Sequence, residues 1–348
     1  MKKYLLPQEG TFYKANLHTH STFSDGRSTP EEFKRAYKNL GYSILALSEH
    51  ERMVPHHDLT DEEFLFLTAA ELGVFDESCE HNFPPVCHFN IIALDEKMEI
   101  QPLYHRTKYV KPQGCPREML KTDPLEPDYE RFYTPESITD MMQKARAANF
   151  FVIYNHPAWS QESYPQYMNY HGMHAMEIIN HTSNVKTGIC EYNERVYDDM
   201  LRGGKHIYCV ATDDSHSTDK HRVGGAWTMI KAERLDYPTV AKALVAGHFY
   251  ASEGPEIKEL WFEDGVVHVK SSPVERIIFT TWPARGRAFW AEESKGTISE
   301  AEYTLLPEAK YVRITLVDER GKKAYSNAYF VEELKKLEGG EFVPVRYE

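Results

Sequence analysis

The side chains that could do chemistry in this chain are histidines and carboxylates. Of 348 residues, 17 are histidine, and many stand beside Asp, Glu or Asn. The pattern runs His18-x-His20, Asp25, Glu49-His50, Glu71, His88, His156 and Asp214-x-His216. Imidazole and carboxylate donors without thiolate suit Zn, Mn or Fe. In an extended segment alternate side chains share a face, so a His-x-His pair can chelate one ion. Such ions activate water and stabilise charge developing on a phosphoryl or carbonyl oxygen, which is the chemistry of a metal-dependent hydrolase.

Donors spread over almost 200 positions need a scaffold that gathers them. Residues 12–20 read as a strand, and Ser28-Thr29-Pro30-Glu31-Glu32 supplies an N-cap, a proline at the first helical position and acid in the first turn. The helix this starts should stop near Gly41, and residues 43–48 form a short apolar run of the buried-strand type. Further strands are expected over 64–70, ending at Glu71, over 86–94, carrying His88, and over 151–154, ending at Asn155-His156-Pro157. Others cover 176–179 and 207–212, the latter ending at Asp213-Asp214-Ser215-His216, with helices over 137–148, 191–203 and 239–246. Strand, helix, strand within about 35 residues is the spacing of a βαβ unit. Each polar cluster follows or lies near the C-terminal end of an apolar run, the end at which α/β folds gather their active sites.

Residues 95–136 break this rhythm and read as an insertion or lid, since loops of that length are commonly functional. After Gly254-Pro255 the pattern changes to short alternating runs over 258–262, 266–269, 276–280, 287–290, 311–317 and 324–330. Turn residues separate them, as in a small β-sandwich. Two domains are expected, 1–254 and 255–348. Five cysteines (79, 87, 115, 190 and 209) without a CxxC pair suggest neither a disulfide framework nor a zinc knuckle. A net charge of −13 disfavours binding to a phosphate backbone, so no nucleic-acid partner is expected. The apolar run near the N-terminus is far shorter than a signal peptide needs, and no stretch approaches a membrane span, so a soluble, cytoplasmic chain is expected.

Several motifs, Asn16-Leu17-His18-Thr19-His20, Ser24-Asp25-Gly26, Leu47-Ser48-Glu49-His50, Glu71, His88, Asn155-His156-Pro157 and Asp214-Ser215-His216, resemble in order and spacing those of the PHP (polymerase and histidinol phosphatase) superfamily. The resemblance covers about residues 12–253 and implies a distorted (β/α)7 barrel with two or three divalent metal ions in its mouth. It implies that His18, His20, Glu71 and Asp214 hold a first metal. Glu71 would bridge to a second, shared with His88 and His156, while Asp25, His50 and His216 would form the third site. The family's usual Thr-Asp-His is here Ser48-Glu49-His50, where Glu49 would accept an imidazole N–H. His81 competes with His88, which is preferred because it lies on a strand; the D-x-H spacing favours Asp214 over Asp213. Residues 250–257, followed by the β-rich tail with Tyr311-Val312-Arg313, are similar to two-domain PHP proteins with an immunoglobulin-like C-terminal domain, such as the CehA/McbA group.

The resemblance implies hydrolysis of a phosphate ester of a small molecule by metal-bound hydroxide at a di- or trinuclear centre, with Glu71, Asp214 and His216 as catalytic residues. Arg222 and Arg27 could fork onto a phosphate, and His181 is a third substrate-binding candidate. His56-His57 and His171-x-x-His174 read as loop histidines, and Trp159 and the tyrosines between 164 and 170 as aromatic core or rim. One alternative is a carboxylic ester, carbamate or amide hydrolase on the same metals. Another is a non-catalytic metal-binding or partner-binding module.

Overall fold

The structure, a computed structural model, describes residues 2–80, 84–283, 285–292, 296–336 and 340–341. His81 lies outside the described residues. In chain order the elements of the first part are β1 (Lys3–Tyr4), β2 (Thr11–Asn16), α1 (Pro30–Asn39), β3 (Ile44–Leu47), β4 (Leu65–Phe75), β5 (Val86–Ala93), α2 (Pro135–Ala147) and β6 (Phe150–Tyr154). There follow α3 (Tyr164–Asn169), β7 (Ala175–Asn180), α4 (His181–Lys186), α5 (Glu194–Arg202), β8 (Tyr208–Thr212), β9 (Trp227–Ala232), α6 (Tyr237–Ala246) and β10 (Phe249–Ser252).

Local chemistry explains the helices. Thr29 and Glu32 form a capping box at the start of α1, with Pro30 at its first position. Its buried face, Phe33 and Tyr37, packs on Leu45, Leu47, Phe64 and Phe66. The sheet runs β9-β2-β3-β4-β5-β6-β7-β8. Neighbours are parallel from β2 to β4 and from β6 to β8, but β5 is antiparallel to both β4 and β6, and β9 is antiparallel to β2. The array curves back on itself. Its two ends meet where the Thr228 hydroxyl of β9 donates to the Ala211 carbonyl of β8 at 3.0 Å and accepts from the Ala211 N–H at 3.2 Å.

Alternation along these strands sends one set of side chains into the space they enclose. Ala15, Ile44, Ala46, Leu65, Leu67, Ala69, Ile92, Phe151, Ile153, Val210 and Ile230 meet there as one apolar plug, closed at its far end by Tyr237, Val240 and Leu244 of α6. Two residues beyond the plug, on the same strand faces, stand Glu71, Asn90, Asn155 and Thr212. The polar floor of the site therefore sits directly on an apolar core.

The remaining strands are β11 (Ile257–Glu263), β12 (Val266–Val274), β13 (Arg276–Trp282), β14 (Arg287–Trp290), β15 (Ile298–Thr304), β16 (Tyr311–Val317) and β17 (Lys323–Ser326). One sheet of this second part contains β15-β12-β11-β1, and the other, β14-β13-β16-β17, continues into β10. Leu260, Phe262, Val267 and Val269 of the first sheet pack against Ile277, Phe279, Ile314 and Leu316 of the second. Leu5 and Leu6 join that core, so the N-terminal residues pack with the C-terminal strands. The Arg313 guanidinium grips the Asp198 carboxylate of α5 with two bonds of 2.8 and 2.9 Å, tying the parts together.

Some expectations need correction. The first strand ends at Asn16, so His18 and His20 lie just beyond it, and Glu71 lies inside β4 rather than at its end. The helix expected over 191–203 is α5 alone, and α4 precedes it. Strands β9, β10 and β15 are not among the expected ones: β9 and β10 are short, mostly apolar segments flanking α6, and the polar-rich β15 becomes a strand beside its partner.

The insertion expected over 95–136 ends at Thr134, where α2 begins; residues 95–134 contain one 3-10 turn, Arg117–Met119, and are held by two buried arginines. Arg52 donates to the carbonyls of Gln113 at 2.6 Å and Cys115 at 3.1 Å, and to that of His50 at 3.1 Å. Arg131 bonds Glu51 at 2.7 Å and the carbonyls of Gly73 and Leu103 at 3.0 Å each. Among the described residues no helix is long and apolar enough to cross a membrane.

Candidate metal centre

All nine donors singled out in the sequence lie together. Glu71, almost fully buried, is the hub: its Oε1 stands 3.2 Å from His18 Nε2, His88 Nδ1 and His156 Nε2, and its Oε2 2.9 Å from His50 Nδ1 and 3.4 Å from His20 Nε2. Asp214 Oδ1 is 3.3 Å from His18 Nε2 and 3.2 Å from His20 Nε2. Asp25 Oδ1 faces His216 Nε2 at 3.5 Å and His50 Nε2 at 3.7 Å. Three groups have donors within 4.8 Å of one another: His18, His20 and Asp214; His18, Glu71 and His156; and His20, Asp25, His50 and His216.

The donor set fits divalent cations. His18 Nε2 and His20 Nε2 approach to 3.1 Å in a fully buried setting, and among the described residues His20 Nδ1 has no hydrogen-bond partner. Ligand bonds of about 2.0–2.2 Å allow one ion to touch donors spaced this way. A buried cluster of imidazoles and carboxylates without a cation also splits its own charge states. Burial and the neighbouring His50 and His216 drive His20 down to about 3. Burial alone would lower His18, but Asp214, Glu71 and Glu177 hold it well above the usual histidine range. His156 is likewise carried against burial to about 9, chiefly through its hydrogen bond to Glu71. Burial works to raise Glu71, yet His88, His18 and His50 hold it well below the usual carboxylate range.

The backbone is bent to reach this geometry. Asp214 has φ 51° and His156 φ 24°, left-handed conformations that cost non-glycine residues energy and cluster at functional sites. Asp25 is placed by the turn before Gly26, whose N–H bonds the Ser21 carbonyl at 2.9 Å. A Cβ at Gly26 would collide with the His20 carbonyl, so glycine is required there.

A ring of polar residues aims the donors. Glu177, fully buried within β7, accepts from His18 Nδ1 at 2.7 Å, from the Thr212 hydroxyl at 2.6 Å and from the His156 N–H at 2.9 Å. The sequence reading missed it, although a lone carboxylate in Ala-Met-Glu-Ile-Ile was a signal: burying an unpaired charge costs several kcal/mol. Asn155 donates to Glu71 at 2.8 Å, and Asn180 to Asp214 Oδ2 at 3.1 Å. Asp213 plays another part, accepting the N–H groups of Gly224, Gly225 and Ala226 at 2.7–3.0 Å. Among the described residues Glu49 makes no hydrogen bond to an imidazole. It accepts from the Ser21 N–H at 3.0 Å and from the hydroxyls of Ser21 and Ser24, fixing the turn that carries Asp25.

The cluster forms the floor of a cavity of about 250 Å³, which all the donors except His18 and His20 line. Phe75, Tyr109 and Trp159 give it aromatic walls, and Lys111 and Lys186 stand in its lining. Arg27, Arg222 and His181 do not line it. Arg27 is exposed, Arg222 stands 3.8 Å from Asp219, and His181 Nε2 is 3.0 Å from the His221 carbonyl. Tyr167 and Tyr170 are buried in the core, while Tyr164 is exposed.

No family model matches the sequence, and no curated protein matches it. Among solved structures, the chain is similar to a two-domain protein from Bacteroides vulgatus containing a predicted PHP-like metal-dependent phosphoesterase. The identity is 16%, the TM-score 0.46, and the match covers 93% of this chain and 98% of that one. Endonuclease Q in complex with a 27-mer duplex carrying an abasic lesion matches at 13% identity and TM-score 0.41, over 67% of this chain and 56% of that one. An amidohydrolase from Chromobacterium violaceum matches at 14% identity and TM-score 0.34, over 60% and 89%.

Proposed function

We propose that the chain is a metal-dependent phosphoesterase of the PHP type, hydrolysing a phosphate ester of a small molecule. The observation that carries this reading is the convergence of nine histidine and carboxylate donors on Glu71 and Asp214 at the floor of one cavity. In this reading the curved array of β2 to β9 is the distorted (β/α)7 barrel, residues 1–254 form the catalytic domain with its insertion at 95–136, and residues 255–348 form an Ig-like domain.

His18, His20, Glu71 and Asp214 would hold one ion, Glu71, His88 and His156 a second, and Asp25, His50 and His216 a third. Bound divalent ions would supply Lewis acidity toward a phosphoryl oxygen and activate water for attack. The chain's own residues do the positioning. Glu177 takes the Nδ1 proton of His18 into a hydrogen bond, which leaves the Nε2 lone pair facing the cluster. Asn155 and Asn180 each bond one oxygen of Glu71 and Asp214 and thereby fix both carboxylates. The aromatic walls limit water around a bound ester.

The test is hydrolysis of p-nitrophenyl phosphate beside p-nitrophenyl acetate, with Mn, Zn or Fe and with a chelator. Chelator-sensitive release from the phosphate supports the reading. Release from the acetate alone moves the chain to the carboxylic ester, carbamate or amide hydrolases. Neither, with metal bound, favours a non-catalytic module.

A further inference from the structure

The cavity carries cationic and hydroxyl groups that the metal cluster does not use. Thr182 and Lys186 stand four residues apart on α4 and both line the cavity. Positions i and i+4 share one face of a helix, so both side chains project to the same side. The Thr182 hydroxyl oxygen is buried and, among the described residues, has no hydrogen-bond partner. A buried hydroxyl without a partner costs free energy that a ligand can return. Lys111, from the insertion, lines the same space, and Arg52 anchors its stretch of chain through the Gln113 and Cys115 carbonyls. Glu51, the lining carboxylate that is not one of the nine metal donors, is already engaged by Arg131 at 2.7 Å and by the Gly73 N–H at 2.8 Å.

Building on the phosphoesterase reading, we propose that Thr182, Lys186 and Lys111 form a subsite for a second oxyanion of the substrate, a carboxylate or a second phosphate, distinct from the ester group over the metal donors. The two ammonium groups balance the charge, and the hydroxyl fixes one oxygen by hydrogen bonding. The chain as a whole is strongly acidic, so cations in the lining of this cavity also steer an anion to it. Lys111 links specificity to the insertion, because changing that loop changes the second group accepted.

The experiment is calorimetric titration of the metal-loaded full chain with alkyl phosphonates, ω-carboxyalkyl phosphonates and alkane bisphosphonates of matched length. The wild type should bind a carboxylated or bisphosphonate compound at least tenfold tighter than the alkyl compound of the same length, and the tighter series identifies the oxyanion. Lys111→Ala and Lys186→Ala should each bring that ratio within threefold of one, and Thr182→Val should lower it at least threefold. The melting temperature of ligand-free Thr182→Val should equal or exceed that of wild type, because its hydroxyl has no partner to lose. A lower one would show a structural hydroxyl and overturn its part. Equal affinity of the three series at every length in the wild type overturns the subsite. If no phosphonate binds with metal present, the phosphoesterase reading fails instead. Succinate and glutarate then probe the subsite alone: binding lost in the lysine variants supports it, and no binding overturns it.

Discussion

Glu177 accepts the hydrogen bond of His18 Nδ1 at 2.7 Å, although 159 positions separate the two. A carboxylate behind a ligating histidine fixes the tautomer and makes the ring a better donor, and losing such a partner commonly costs 10–100-fold in metal affinity. Glu177→Gln, which keeps an acceptor and removes the charge, should weaken metal binding by about that factor. Competition titration with a metallochromic chelator reads this, and unchanged affinity would show that Glu177 serves only to hold the strands together.

The His18→Ala/His20→Ala double variant should lose most of the metal. Elemental analysis of untagged wild type should find two or three equivalents of transition metal, falling sharply in the variant. Less than one equivalent in wild type, unresponsive to added Mn, Zn or Fe, contradicts the multinuclear reading.

Glu71 touches five imidazoles, so its charge organises the whole cluster. Glu71→Gln should reduce chelator-sensitive turnover at least about 100-fold, the scale on which preorganised charge matters in active sites. The circular dichroism spectrum should stay native. Full activity in this variant would remove Glu71 from the mechanism.

Beneath the site, Glu162 accepts from Tyr154 at 2.5 Å and Tyr170 at 2.6 Å, and burial outweighs those hydroxyls to push it up to about 7. An acid with a raised folded value stabilises the fold fully below its ordinary value of 4.5, and that contribution is lost as pH rises through about 7. The difference is on the order of 3 kcal/mol. The melting temperature of metal-loaded wild type should therefore fall between pH 5 and 8, and Glu162→Gln should flatten that slope. Parallel profiles would place the pH dependence elsewhere.

Arg52 holds the insertion by three carbonyls and also bonds the His50 carbonyl. Arg52→Ala should expose residues 111–115 to limited proteolysis and weaken metal retention at the His50 side. An unchanged digestion pattern would mean that Arg131, together with Arg117 on the carbonyls of His105 and Val110, suffices to hold the loop.

The sequence by itself determined which side chains are of metal-donor type and near which apolar runs they stand. Histidines and carboxylates recur beside apolar runs, and those runs became the strands whose inward faces carry the plug and, two residues on, Glu71, Asn90 and Asn155. Helix α1 was legible because its capping box and proline act within one turn. What the tertiary structure decided was everything set by distant partners. Glu49 and Asp213 sit in motifs as acidic as their neighbours, yet packing turns them to hydroxyls and backbone N–H groups, while Glu177, inside an apolar run, is turned to His18. Likewise Lys111 and Lys186, not Arg27 and Arg222, line the cavity. Residue type fixes what a side chain can bind, whereas its partner depends on strand order, curvature and loop anchoring, which are properties of contacts between positions far apart in the chain.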